Sequence, residues 1–439
     1  MKTSNYGKLL NTNEEVRWVQ DELFCFDFIK ESNGVVEIAP NGSYLEGLTL
    51  DQKYIYIYMT KSFQMPGNKA HVNTDIVVVG NSIHEQKLMG IQFTGGILGL
   101  LFWPDRLDID LLENGEYKVK CKSDLISWKV EIDGKEYTIS VSSILHENHG
   151  VSGTSLVNDQ VVLEVIAADG IGIENVIPIY NTVRKMCQFL TFRKNVRFEK
   201  VELLFEDEYN NHVTNYAGAT LFSRDDFETA TDKAWVVCIT FKMMKECLGK
   251  LFRLIYEEKE NKPHFSLDFL PKDDSDVAWI SPEKIKNICT ALECEAMIQK
   301  LSAPENSDFR ELIHSVKNVV NAHKKSNKAL PDKTYDMING SISHWDFAAA
   351  DKVKALFHRY EEIVIQSRCF QESFAEFEKG IDRIITFRNR ITHGNFMSIS
   401  PEDANVAVNL MNLVYISRLD RLGMPRETIS ELIRRGVVY

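Results

Sequence analysis

The sequence predicts an α+β multidomain chain in which a β-rich N-terminal domain precedes an all-α C-terminal helical bundle. Segments rich in β-branched and aromatic residues, several of them alternating, occupy about the first 220 positions, and apolar residues recur at helical spacing from Ser281 onward. The charge changes at the same place. Before Ser281 there are 29 basic and 42 acidic residues, and from Ser281 to Tyr439 there are 22 and 21. At about 100–200 residues per domain, the 439 residues correspond to two to four domains.

The N-terminal part is predicted to consist mainly of strands. Asp133-Gly134 separates two strand-like segments and favours the positive backbone angles of a type I′ hairpin turn. A helix over residues 179–192 and a longer helical pattern over 225–260 interrupt the strands, and prolines with a charged cluster over 259–276 indicate a linker. The predicted strands lie at residues 54–59, 75–79, 116–120, 128–132, 135–141 and 201–205.

The C-terminal part is predicted to be entirely helical. Ser281-Pro282-Glu283 and Ser400-Pro401-Glu402 each combine an N-cap, a first-turn proline and an acid that suits the helix dipole. The first predicted helix begins at residue 281. The others cover residues 308–325, 350–365, 370–392, 400–421 and 426–435. We therefore expect three segments, with boundaries at residues 1–224, 225–280 (a helical connector and linker) and 281–439.

Composition excludes several classes of protein. A net charge of −12 argues against a protein that coats nucleic acid non-specifically. The eight cysteines contain no Cys-x-x-Cys pair, which is typical of free thiols in a reducing compartment. Met1 to Arg17 has no apolar signal core, and the longest apolar run has eight residues, far fewer than the roughly 20 of a membrane span. We expect a cytoplasmic protein without a membrane segment.

The fourth predicted helix of the bundle has an arginine where its apolar stripe continues. An arginine aimed at a helix–helix seam is costly unless it is paired or lines a wet cleft. Asn389 and His393 share one face of the helix, and Gly394 ends it. A cation, a titratable ring and an orienting amide together suit cleavage of RNA by its own 2′-hydroxyl. The stripe comprises Phe370, Phe374, Phe377, Ile381 and Ile384, and the next position is Arg388.

Residues 387–394, Phe-Arg-Asn-Arg-Ile-Thr-His-Gly, resemble the signature of HEPN-domain ribonucleases. The order of a β-rich and a helical domain is similar to that of the ApeA family of bacterial anti-phage (abortive infection) proteins. The helix at 180–192, with its ending Cys187-Gln-Phe-Leu-Thr-Phe192, resembles part of the N-terminal domain of that family, and residues 289–297 resemble the first HEPN helix. The resemblance implies a metal-independent endoribonuclease without a cofactor, acting on RNA as a homodimer or higher homo-oligomer. It also implies an N-terminal sensor or regulatory domain with a phage protein as its trigger.

The resemblance assigns roles residue by residue. Arg388 matches the phosphate clamp, Asn389 the orienting residue and His393 the acid/base. In that family, the first helix of the bundle often carries an acidic residue near the site. Glu293 and Glu295 both qualify, and we favour Glu295 because its position on the helical wheel points more inward.

The sequence leaves other assignments open. Arg383 and Arg390 either bind RNA phosphates or are simply solvated, and we interpret His146 and His149 as part of a polar turn rather than a metal pair. Two other functions fit the same residues: a HEPN-like module that binds RNA or a nucleotide without cleaving it, and a structural dimerisation adaptor.

Overall fold

The structure is a computed structural model, and it confirms the predicted fold class: a sheet-rich N-terminal part is followed by helices. It describes residues 3–436 with internal gaps. The gaps are at residues 23, 31–34, 38–43, 65–67, 82, 84–85, 103–106, 112–116, 122–124, 151–152, 208–212, 215–217, 228–236, 259–263, 302–306, 327–329, 344–348, 393 and 395–397.

The chain divides into two compact units. The N-terminal unit contains residues 1–257 and 272–274, and the C-terminal unit contains residues 258–271 and 275–439. Residues 225–280, which we expected to form a connector, therefore contribute to both units. In the described part of the chain, no helix combines the length and the apolar character needed to cross a membrane.

The N-terminal unit is built around one large antiparallel sheet and a separate two-stranded sheet, β8–β9. The predicted strands are confirmed within this arrangement. The strands are β1 (Thr3–Leu9), β2 (Glu14–Glu22), β3 (Cys25–Ile29), β4 (Tyr44–Thr49), β5 (Lys53–Gln64), β6 (Lys69–Asn81), β7 (Leu88–Thr94), β8 (Leu107–Leu111), β9 (Tyr117–Cys121), β10 (Leu125–Ile132), β11 (Lys135–Gly150), β12 (Gly153–Ala167), β13 (Lys200–Glu206), β14 (Val213–Thr214) and β15 (Thr220–Ser223).

Six strands of the large sheet close on themselves in the order β6–β3–β2–β1–β4–β5, because β5 pairs back to β6. Alternating apolar residues such as Trp18, Phe26 and Phe28 fill one face of this ring. Strand β6 also pairs with β15, from which the sheet continues through β13, β7, β12 and β11 to β10.

Among the described residues, the α-helices that accompany the strands are α1 (Gly96–Leu101), α2 (Val176–Thr191) and α3 (Leu248–Tyr256). Helix α2 corresponds to the helix predicted over 179–192, and its apolar side is fully buried. The long helix predicted over 225–260 is wrong in extent. Residues 224–227 form a 3₁₀ turn and residues 241–247 form turns. Among the described residues of this segment, regular helix begins at Leu248.

The hairpin at Asp133-Gly134 is confirmed. Both residues have positive φ angles, 50° and 75°, and they connect the paired residues Ile132 and Lys135. The interpretation of residues 146–149 as a turn is wrong, because they continue β11 and pair with β12 after a register shift between Ile144 and His146.

The regular elements described in the C-terminal unit are helices. Its helices are α4 (Pro282–Ile298), α5 (Ser307–Lys324), α6 (Asp332–Ser343), α7 (Ala349–Val364), α8 (Phe374–Thr392), α9 (Pro401–Leu422) and α10 (Arg426–Arg435). Helix α6 was not predicted. The two serine caps are confirmed, since the hydroxyls of Ser281 and Ser400 accept from the backbone amides of Lys284 and Asp403. Helix α9 is buried along most of its length and packs against α4, α7 and α8.

Candidate active site

The apolar stripe of α8 runs into the helix bundle and stops one turn before Arg388. Phe377, Ile381 and Ile384 are buried, whereas Arg388 keeps about a quarter of its side chain exposed at 24%. The stripe thus anchors α8, and the helical repeat places the guanidinium where the packed seam reaches the solvent.

The guanidinium of Arg388 is held on two sides. Its Nη2 donates to the carboxylate of Glu293 on α4, and its Nη1 donates to Oδ1 of Asn389 at 2.9 Å. Burial raises the pKa of the Cys289 thiol to about 12, and the charge of Arg388 opposes this increase. Arg388 therefore faces the side of α4 that contains Cys289 and Glu293, which are one turn apart.

Two hydrogen bonds mark the end of α8. The hydroxyl of Thr392 donates to the carbonyl of Arg388, and the amide of Gly394 donates to the carbonyl of Ile391 at 2.9 Å. Gly394 has a φ of 82°, which is the left-handed conformation that terminates helices. His393 lies outside the described residues, so its predicted role stays a prediction.

The structure brings Glu293, and not Glu295, to Arg388, which corrects our preference. The two residues are about 200° apart around a helix and face different neighbours. Glu295 is fully buried and faces α9, where its Oε1 accepts from Arg418 at 3.0 Å and from Arg421 at 2.9 Å. Glu295 is therefore part of an internal ion-pair cluster.

Sequence reasoning missed this internal cluster. Arg418 is only 1% exposed, and burial lowers its pKa while the charge of Glu295 opposes that change. Its guanidinium also lies over the rings of Phe265 and Phe269, at 4.6 and 5.2 Å from their centroids. The available signal was an arginine inside the long apolar stretch of α9.

The two arginines predicted to contact RNA lie on the exposed part of α8. Arg383 forms an ion pair with Asp403 at 2.7 Å and is 48% exposed. Arg390 is exposed two residues after Arg388. Neither is buried, so both can exchange their present contacts for phosphate oxygens.

The described side chains of this site comprise a half-buried cation, an amide and a carboxylate. Of this set, the guanidinium suits the binding of a phosphate group, since it donates two parallel hydrogen bonds to such oxygens. The carboxylate of Glu293 competes with a phosphate for Nη2 of Arg388. Across the described ranges, no group of three or more His, Cys, Asp or Glu side chains is placed to hold a metal ion. In comparisons with known proteins, no protein-family model, no curated protein and no solved structure matches the chain.

Proposed function

We propose that the C-terminal unit is a metal-independent endoribonuclease of the HEPN type that acts in anti-phage defence by abortive infection. The observation on which this rests is the position of Arg388. Its guanidinium is partly exposed at the end of α8, is held by Glu293 and Asn389, and precedes His393 by five residues in the chain.

In the proposed reaction, His393 removes the proton of the 2′-hydroxyl, and the 2′-oxygen forms a bond to phosphorus. The bond from phosphorus to the 5′-oxygen breaks, and that oxygen takes a proton from the imidazolium of the partner copy in a homodimer. Arg388 stabilises the charge that develops on the phosphorane. The products are a 2′,3′-cyclic phosphate and a 5′-hydroxyl.

The charge of α8 supports an RNA substrate. Between Asp382 and Thr392 this helix has three arginines and a single acidic residue, in a unit that is otherwise close to neutral. Contacts from Arg383 and Arg390 to neighbouring phosphates would add affinity without sequence preference.

The acidic N-terminal unit supports a regulatory role. Its excess of carboxylates repels RNA, so we expect this unit to bind a protein and not a nucleic acid. We propose that it senses a phage protein and thereby activates the nuclease in the cytoplasm.

The test is cleavage of end-labelled RNA by the purified full chain, with and without EDTA. We expect cleavage that persists in EDTA and leaves cyclic phosphate ends, and a loss of about 10²–10⁴-fold in His393→Ala. The matched control is His358→Ala, which removes an exposed histidine of α7 paired with Glu361 and Glu378. Equal cleavage by both variants, or cleavage that requires a metal, contradicts the proposal.

A structural role for the site is the second candidate, because the contact between Arg388 and Glu293 also links α8 to α4. This role predicts that Arg388→Ala changes the free energy of unfolding or the assembly of the dimer and has no effect on RNA cleavage. Binding of RNA without cleavage would instead indicate the non-catalytic module.

A further inference from the structure

The outer face of the six-stranded ring has a groove where β2, β1 and β4 lie side by side. Its volume is about 610 Å³, within the range of about 300–1,000 Å³ that is typical of ligand sites. We call it the Arg17 groove. The side chains that line it on this face belong to Tyr6, Lys8, Glu15, Arg17, Leu48 and Leu50.

Strand alternation and register place these side chains on one face. Trp18 of β2 is buried in the core of the ring, so its neighbour Arg17 points to the opposite face. Across β1 and β2, Tyr6 pairs with Arg17 and Lys8 pairs with Glu15. Directly paired residues of neighbouring strands point to the same side of a sheet, so all four side chains lie on the outer face.

Arg17 is a half-buried cation whose neighbours do not neutralise it. Its Nε is buried and has no acceptor in the described part of the chain. On β3 the residue opposite Arg17 is Ile29, which is apolar, and the next residue of β3 on this face, Asp27, already pairs with Lys69 and His71. A buried donor without an acceptor is costly. The two Nη groups are not sealed in the same way, so they can donate to a ligand.

The residues beside Arg17 are apolar and open to solvent. Tyr6 is 47% exposed and Leu50 is 75% exposed. The amide of Leu50 donates to the carbonyl of Tyr6 at 3.1 Å, so the two residues lie next to each other. Leu48, two positions earlier, is half-buried and lines the same groove. Neighbouring apolar side chains of this size gain free energy when a ligand removes them from water.

The charges of the groove favour an anion. Lys8 and Glu15 lie opposite each other and offset one another, which leaves the charge of Arg17. The first 280 residues, by contrast, have 29 basic and 42 acidic residues. In physiological salt, exposed charges more than about 8 Å away are largely screened, so the charge of Arg17 and not that of the whole unit decides what binds here.

We propose that the Arg17 groove binds an organic anion, in which a carboxylate or phosphate group is attached to an apolar body. The oxygens of the anion accept from the Nη groups of Arg17, and the apolar body lies on Tyr6, Leu48 and Leu50. A ligand with only one of the two parts would use half of the groove. This binding does not require nuclease activity.

The test is isothermal titration calorimetry of the full chain with three probes that share one alkyl chain: octanoate, octyl phosphate and 1-octanol. We expect at least one of the two anions to bind at least about tenfold more tightly than 1-octanol, because a hydrogen bond from a charged group adds to the apolar contact. The tighter of the two anions identifies the head group. Equal affinities for all three probes would overturn the proposal.

The variant Arg17→Gln locates the anion. It keeps a polar side chain and removes the charge, so the anion should bind about tenfold more weakly while 1-octanol binds as before. A merely structural role of Arg17 would instead change all three affinities together. Arg197→Gln is the matched control, because it removes an exposed arginine of the same unit outside the groove.

The variant Leu50→Ser tests the apolar part. Leu50 is largely exposed, so the substitution should leave folding intact and weaken the binding of all three probes by about threefold or more. Leu125→Ser makes the same change at an exposed leucine of β10 and should have no effect. Unchanged anion binding in both Arg17→Gln and Leu50→Ser refutes the site, whether or not the chain cleaves RNA.

Discussion

The carboxylate of Glu293 on α4 contacts the guanidinium of Arg388 on α8, 95 residues further along the chain. Each side chain is 24% exposed, so this contact lies at the surface of the helix bundle. It orients the cation of the candidate site while leaving it within reach of a phosphate group.

We predict that Arg388→Ala separates activity from stability. Loss of a group that stabilises developing charge should reduce RNA cleavage by about 10²–10³-fold. The free energy of unfolding should fall by no more than about 1 kcal/mol, because the ion pair is partly exposed. Cleavage rates and urea unfolding measured on the same preparation provide the check. Arg434→Ala, which removes another exposed arginine paired with a carboxylate, is the control. A large loss of stability with unchanged cleavage would favour the structural role.

Glu295→Ala should have a much larger effect on stability than Glu293→Ala. Removing Glu295 leaves Arg418 and Arg421 without the carboxylate that lies between them, and Arg418 has almost no contact with solvent. The expected loss is about 3–5 kcal/mol for Glu295→Ala and below about 1 kcal/mol for Glu293→Ala. Urea unfolding followed by circular dichroism measures both. Similar losses in the two variants would contradict the assignment of Glu295 to the core.

Asp226 should make the stability of the N-terminal unit depend on pH. Burial raises the pKa of Asp226 to about 6, while the Phe198 amide, the Tyr180 hydroxyl and the charge of Arg184 oppose the increase. The folded chain thus holds this proton to a higher pH than the unfolded chain does. The stabilisation is complete below about pH 4 and is lost as the pH rises through about 6.

Asp226→Asn should therefore be more stable than the native chain at pH 8, by an amount on the order of 3 kcal/mol, and equally stable at pH 4. An asparagine can still accept from the Phe198 amide and donate to Tyr180. Thermal unfolding at the two pH values measures the difference. The control Asp225→Asn removes the ion pair with Arg184 and should not increase stability. A native chain that is at least as stable as Asp226→Asn at pH 8 would refute the burial argument.

Gly380→Ala should destabilise the helix bundle although alanine favours helices. A Cβ atom at Gly380 on α8 would lie 2.6 Å from Cγ2 of Val406 on α9, so either the Val406 side chain must leave its rotamer or the two helices must move apart. Overpacking of this kind costs about 1–3 kcal/mol, more than the gain in helix propensity of about 1 kcal/mol. Gly340→Ala on α6 is the matched control, because its Cβ meets nothing within 4 Å. Melting temperatures should fall for the first variant and stay or rise for the second.

Local signals in the sequence were sufficient for much of the fold. The hydroxyls of Ser281 and Ser400 accept hydrogen bonds from backbone amides three residues away, and Asp133-Gly134 forms the turn between two adjacent strands. Neighbouring residues alone therefore determine these features. The helical repeat likewise placed Arg388 at the end of the buried stripe. The missed helix α6 and the shortened helix α3 show where periodicity was weak or misleading.

What only the tertiary structure decided is which partner each polar side chain meets. Glu293 and Glu295 are two residues apart, yet one pairs with α8 and the other with α9. The packing of α3 against β10, at the end of the large sheet, likewise depends on elements distant in sequence. Helical and strand periodicity tells which side of an element is apolar, but the neighbour that covers each side depends on how all the elements pack together.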